Sequence, residues 1–310
     1  MLSRTADYLY WMSRHMERAE NTARLLDVSL RMSLLHPSSQ DDLLVPLDVT
    51  GCTEAFRARH GSADAQQVLF YLALDPDAPG SIFHCVRMAR ENAHAVRVKI
   101  TAEMWELLNG TWLDMREWQR RGLDAQSASP FLEWVRERSH LFRGVSYGTM
   151  LRNDTFHFSR LGTFIERADN TARILNVKQR QIRDNEPEAE NILDYYQWAA
   201  LLRSVSAFEA YRDIYRDNIT PERVAELLIL RPDMPRSLRA TFDEIVEVLS
   251  RVEGEAGRPA RRLASEMLAR LTYSDIGEIF AAGLENWLDL LIGDIHRLGR
   301  AIHSSYLEAA

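Results

Sequence analysis

Glu17 to Val28 reads ERAENTARLLDV, and Glu166 to Val177 reads ERADNTARILNV. Nine of the twelve positions are identical, 149 residues apart, and the other three are conservative: Glu20/Asp169, Leu25/Ile174 and Asp27/Asn176. Charged stretches on solvated helices drift freely, so a physical requirement for Glu, Arg, Asn and Arg at this spacing is the better account. The echo continues along the chain. Glu54-Ala55-Phe56-Arg57 returns as Glu209-Ala210-Tyr211-Arg212, and LDPDAPGSI (Leu74 to Ile82) returns as LRPDMPRSL (Leu230 to Leu238). A weaker echo links Ala102-Glu103-Met104 to Ser265-Glu266-Met267. The order is kept while the offset grows slowly, as it does when a second copy gains loop residues. A repeat of this kind is the first thing to settle, because it decides the fold. The sequence therefore predicts a duplication, with a first repeat over residues 1–150 and a second over 151–310, sharing one core.

The periodicity between the markers is helical. Leu9, Met12, Met16, Ala19, Ala23, Leu26 and Leu30 step by three and four, as do Phe158, Leu161, Ile165, Ala168, Ala172 and Leu175. Such spacing lays one apolar stripe along a 3.6-residue helix. Few breakers interrupt the stretches from Ser81 to Leu108, Ile192 to Tyr215 and Tyr273 to Tyr306, so each reads as a long helical run. Pro76/Pro79 and Pro232/Pro235 break the chain at matching places, with Ser81 and Ser237 placed to cap the next helix. No segment alternates as a strand does. The expected fold is all-α, an internally duplicated helical bundle with two similar halves around a pseudo-twofold axis.

Bulk composition narrows the function. The 310 residues carry a net charge of −7, which argues against a nucleic-acid protein. No apolar run approaches a membrane span, and the charged N-terminus lacks a signal-peptide core, so the expected location is the cytoplasm. The two cysteines, Cys52 and Cys85, have no zinc or disulfide spacing. There is no phosphate-cradling Gly-rich loop, no nucleophile elbow and no signature of a bound cofactor. Only Lys99 and Lys178 are lysines. Arginine carries nearly all the positive charge, which suits planar recognition of carboxylates or phosphates and also follows from a GC-rich genome.

Ser13, Glu17, Glu20, Asn21 and Arg24 share about a third of the first helix's circumference. Tyr10, Trp11, Leu25 and Val28 flank them, so a polar window interrupts a largely buried helix. Two readings stay open. In one, the copies hold each other through Glu–Arg pairs, because buried charges must be paired. In the other, the window faces a cleft where Arg24 and Arg173 grip an anionic ligand. A di-metal centre is a further alternative. Glu91-x-x-His94 and Glu137-x-x-His140 resemble the paired motifs of di-metal helical bundles, with Glu17 and Glu103 able to complete the ligand set. The remaining histidines show no ligand spacing.

The combination of LSRTADYLYWMSRHMERAENTARLLDV, a central MAREN…VR…EMWELLN, and ERADNTAR with LILRPDMPRSL resembles the Alpha-E family along essentially the whole chain. That resemblance implies an all-helical bacterial domain whose genomic company is a circularly permuted ATP-grasp protein and a transglutaminase-like peptidase. It implies a setting of ATP-dependent amide or peptide-bond formation and assigns no reaction to the Alpha-E unit itself. The motif positions it marks here are Glu17, Arg18, Glu20, Asn21 and Arg24, then Glu91, Asn92 and Arg97, then Glu166, Arg167, Asn170 and Arg173. Asp169 stands where the first copy has Glu20. The expected function is an accessory subunit of an ATP-grasp ligase. Glu17 and Glu166 are candidate general bases, and the other positions candidate binders of a carboxylate- or amine-bearing substrate. The alternative is a non-catalytic scaffold whose Glu/Arg network is purely structural.

Overall fold

The stripe that opens the sequence becomes the first helix of a computed structural model, which describes residues 2–35, 41–61, 64–184, 190–252 and 254–308. Every regular element among them is helical. The helices run α1 (Ser3–Leu35), α2 (Asp41–Thr50), α3 (Thr53–His60), α4 (Ala65–Ala73), α5 (Ile82–Ala95), α6 (Ala102–Arg121), α7 (Ala128–Thr149) and α8 (Asp154–Asp184). They continue with α9 (Glu190–Ser204), α10 (Phe208–Tyr215), α11 (Pro221–Ile229), α12 (Leu238–Arg251), α13 (Arg258–Tyr273), α14 (Ile276–Ala282) and α15 (Leu284–Ile302). None is long and apolar enough to cross a membrane.

Two compact units divide the chain, one of residues 1–166 with 306–310 and the other of residues 167–305, so the boundary falls inside α8. In the first unit α1 is the central element. Leu9, Met12, Met16, Ala19, Ala23 and Leu26 on its stripe are all buried, and α1 packs against α2, α4, α5 and α7. Ala19 and Ala23 keep that face low enough for neighbours to approach. At Gly162 the approach is closest: a Cβ there would lie 2.1 Å from the Tyr10 carbonyl oxygen. Beside it, the Ser13 and Ser159 hydroxyls meet at 2.6 Å. In the second unit α13 packs on α12 and α15, and α14 bridges α11 and α15.

The three long runs expected from the sequence are each broken. Ser81–Leu108 splits into α5 and α6, because Thr101 leaves the helical conformation and its hydroxyl caps the Met104 amide. Ile192–Tyr215 splits at Ser206, whose φ of 54° lies in the left-handed region. Tyr273–Tyr306 splits at Asp275, which caps α14, and at Gly283, with φ of 91°. Caps and single left-handed residues end helices without needing proline.

The two proline-containing turns carry the same bonds. Ser81 Oγ donates to the Asp75 carbonyl at 2.6 Å and accepts from the His84 amide at 3.0 Å. Ser237 Oγ donates to the Arg231 carbonyl at 2.5 Å and accepts from the Ala240 amide at 3.0 Å. Further back, the Cys52 amide bonds Leu47 O and the Ala207 amide bonds Leu202 O, both at 2.8 Å. Phe56 and Tyr211 are each fully buried behind these turns.

Candidate functional site

On the first copy of the repeated helix the polar window is buried. Ser13, Glu17, Glu20, Asn21 and Arg24 are all at most 8% exposed. An ionised carboxylate in that position must be compensated. The compensation for Glu20 comes from its own helix and from α7. Its Oε1 takes Arg24 Nε at 2.9 Å and Nη2 at 2.8 Å. Its Oε2 takes the Ser139 hydroxyl at 2.8 Å and Arg143 Nη1. The same Arg143 nitrogen reaches Glu17 Oε2 at 3.0 Å. Arg24 Nη2 also donates to His140 Nε2 at 3.1 Å, and that nitrogen lies 3.5 Å from Glu20 Oε1.

Glu166 is held from α1. Its Oε1 takes Arg18 Nε at 2.5 Å, and its Oε2 takes Arg14 Nε at 2.8 Å and Arg18 Nη2 at 2.9 Å. Burial would raise its pKa, but Arg18 and Arg14 outweigh it and hold the carboxyl down at about 2. Arg14 also lies over the Trp11 ring, 4.8 Å from its centroid.

In the second unit a smaller version of the Glu20 cluster forms. Asp169 Oδ2 takes Arg173 Nε at 2.8 Å, Arg173 Nη2 reaches His296 Nε2 at 3.0 Å, and that nitrogen lies 3.1 Å from Asp169 Oδ1. Arg167 is buried and donates to the Pro235 carbonyl at 3.5 Å. Nearby, the Thr171 hydroxyl donates to the Arg236 carbonyl at 3.0 Å, tying α8 to the second proline turn. Asn170 is half-buried.

The central motif goes elsewhere. Glu91 is exposed and pairs with Arg90. The guanidinium groups of Arg90 and Arg97 both lie over the Trp105 ring, at 5.2 and 5.1 Å, with the His94 ring 5.6 Å away. Asn92 is buried in the stripe of Ala89 and Ala93. Glu91 and Arg97 therefore belong to a cluster around Trp105 rather than to the Glu20 cluster. The di-metal ligand set is dispersed as well: His94 sits by Trp105, His140 by Arg24, and Glu103 is exposed. No group of three or more His, Cys, Asp or Glu side chains is placed to hold a metal ion among the described residues. Both cysteines are free thiols, and burial pushes Cys85 up to about 12.

Sequence reasoning missed Arg14, Ser139, Arg143 and His296, and weighed His140 only as a metal ligand. The available signal was the offset: His140 and His296 stand 156 positions apart, as the two proline turns do.

The family model described as a predicted alpha-helical domain with a conserved ER motif matches residues 1–307. Here that pair of residues occurs at Glu17-Arg18, Glu137-Arg138, Glu166-Arg167 and Glu222-Arg223, the first and third of them inside the repeated stretch. Uncharacterized proteins of Mycobacterium bovis and Mycobacterium tuberculosis are 28% identical over 313 aligned positions, covering 93% of this chain. The chain spans about a third of the length of these curated relatives, 34% of each. No solved structure matches it. By the extent of the family match, the chain belongs to the Alpha-E family.

Proposed function

We propose that this chain is an accessory helical module of an amide- or peptide-bond-forming system in the cytoplasm. It works beside a circularly permuted ATP-grasp ligase, with a transglutaminase-like peptidase in the same pathway. We further propose that it arose by duplication, with residues 1–150 and 151–310 as the two copies. The order α1–α7 returns as α8–α13 and α15, the proline turns share their bonds, and the carboxylate–Arg–His cluster occurs in both.

One observation carries the accessory reading. Glu166 has both carboxylate oxygens occupied by guanidinium donors, and Glu17 Oε2 accepts from Arg143 at 3.0 Å. A carboxylate held in that way is a poor proton acceptor near neutral pH, because protonation must break charge-assisted bonds. The ER glutamates then serve as anchors that fix helices, and the chemistry belongs to a partner. The greater length of the relatives agrees with a module that works alongside other domains. The candidates that keep a ligand role are the partly open ones, Asp169 and Arg173, whose side chains are 15% and 31% exposed.

Mild affinity purification from the native bacterium tests this. An ATP-grasp protein recovered near one-to-one is the expected result. Recovery of the chain alone, with a Glu17→Gln variant that folds normally yet loses product formation, overturns it in favour of catalysis here.

A further inference from the structure

His15 and Arg87 have no role in the networks described above, and each is left incomplete in a way that points to a ligand. His15 is only 8% exposed, yet its Nδ1 is buried with no hydrogen-bond partner. Its ring lies 5.6 Å from Trp11 on the same helix and 6.2 Å from His84 on α5. Arg87 is half-buried, and among the described residues no carboxylate pairs with it. Its Nη2 lies 3.2 Å from His84 Nδ1. Arginine only donates, so His84 Nδ1 accepts, and the neutral ring carries its proton on Nε2 as a further donor.

The charges around these rings are unbalanced. Arg14 and Arg18 act on His15, Arg87 and Arg18 act on His84, and Glu166, the carboxylate that acts on His15, is already bridged by Arg14 and Arg18. A partly buried group of guanidinium donors in excess of carboxylates is the arrangement that receives an anion. Burial first, then Arg18, lowers His15 to about 3, and burial with Arg87 and Arg18 lowers His84, so both rings stay neutral at neutral pH.

The pattern is specific to the first unit. At the matching positions of α8, Thr163 and Phe164 stand where α1 has Arg14 and His15. On α12, Ala240 and Asp243 stand where α5 has His84 and Arg87. A feature needed only to hold a repeated helix in place would have no reason to be lost from one copy.

We propose that α1 and α5 form a binding site for an anionic oxo group, a carboxylate or a phosphate. Arg18, Arg87 and His84 Nε2–H supply the donors, and Trp11 and His15 line the site. This inference does not rest on the accessory reading, and a failed anion titration leaves the co-purification result untouched.

The test is a titration of the full chain with inorganic phosphate and, separately, acetate at constant ionic strength, following the His15 and His84 ring signals by NMR. Saturable shifts of both rings are expected with at least one anion. Saturation by phosphate alone identifies a phosphate-bearing ligand, and by acetate alone a carboxylate. Arg87→Gln should weaken binding roughly tenfold, as loss of one charge-assisted contact does. Arg120→Gln, at an exposed pair with Glu117, should leave it unchanged. If Arg87→Gln does not fold, His84→Gln carries the same expectation. No saturable shift with either anion, or unchanged affinity in the folded variant, overturns the site.

Discussion

The Glu20 and Asp169 clusters share one wiring diagram and differ in closure. In each, a carboxylate accepts from an arginine one helical turn later, and that arginine donates to a histidine from a distant helix. The first cluster adds Ser139 and Arg143 from α7, and the Glu20 side chain is fully buried. At the matching positions α15 has Ile295 and Gly299, and Asp169 stays 15% exposed. The common part suffices to pin a helix. The added donors are what allow a carboxylate to be buried completely.

That difference sets the largest expected effect. Glu20→Gln leaves Arg24 and Arg143 facing a neutral amide inside the first unit. Removing one partner of a buried pair costs about 3–5 kcal/mol. Asp169→Asn removes a more solvated carboxylate and should cost only about 1 kcal/mol. Calorimetric unfolding of the two variants checks this, and equal losses would break the comparison.

A second contrast concerns Ser13 and Gly162, which occupy matching positions of α1 and α8. The Ser13 hydroxyl meets Ser159, so Ser13→Ala should cost about 1 kcal/mol. Gly162→Ala places a methyl 2.1 Å from the Tyr10 carbonyl oxygen, and backbone cannot swing aside as a side chain can. Overpacking of this kind should cost about 3 kcal/mol. A Gly162→Ala protein as stable as its parent would mean that the helices separate without penalty.

Acid should act on the first unit through two groups. Glu166 falls from 4.5 to about 2 on folding, so it stabilises above pH 4.5 and that contribution is lost as pH drops toward 2. The shift corresponds to something on the order of 3 kcal/mol at neutral pH. His15 falls from 6.5 to about 3, so its uncharged form supports folding above pH 6.5, and stability is lost as pH falls between those values. Glu166→Gln should lower stability at pH 7 and flatten the lower part of the acid profile. His15→Phe, which installs the residue found at position 164, should flatten the upper part and leave neutral stability nearly unchanged. Chemical denaturation across pH 2.5–7 separates the two.

The elements legible in the sequence were those whose information is local. The stripe from Leu9 to Leu26 announced α1, and the Pro–Ser pattern announced caps that Ser81 and Ser237 do make. Burial of the Glu17–Arg24 window followed from its large apolar flanks. What escaped was supplied from far along the chain. Arg143 lies 123 residues from Glu20, and at the offset of the proline turns α7 and α15 share few residues, Leu132/Leu288 and His140/His296 among them. The central motif misled for the same reason. Arg97 lies just beyond α5 with its guanidinium over Trp105 of α6, Glu91 pairs with Arg90 over the same ring, and nothing in a single sequence says which neighbour a helix face will meet.

The smallest expected effect is also the sharpest test of the comparison, because it tries to convert one cluster into the other. Gly299 lies inside α15 where the first unit has Arg143, and a Cβ added there meets nothing within 4 Å. Gly299→Ala should stabilise by somewhat under 1 kcal/mol, from helix propensity alone. Gly299→Arg has nearly the same propensity gain and adds a guanidinium one turn from His296, whose ring contacts Asp169. Any surplus over the alanine variant therefore reports the new pair, and about 0.5 kcal/mol is expected for a partly exposed site. The Arg variant should lose that surplus when Asp169 is also changed to Asn, in a double-mutant cycle. If the surplus persists without Asp169, the guanidinium has found another partner, and Gly299 is not the structural counterpart of Arg143.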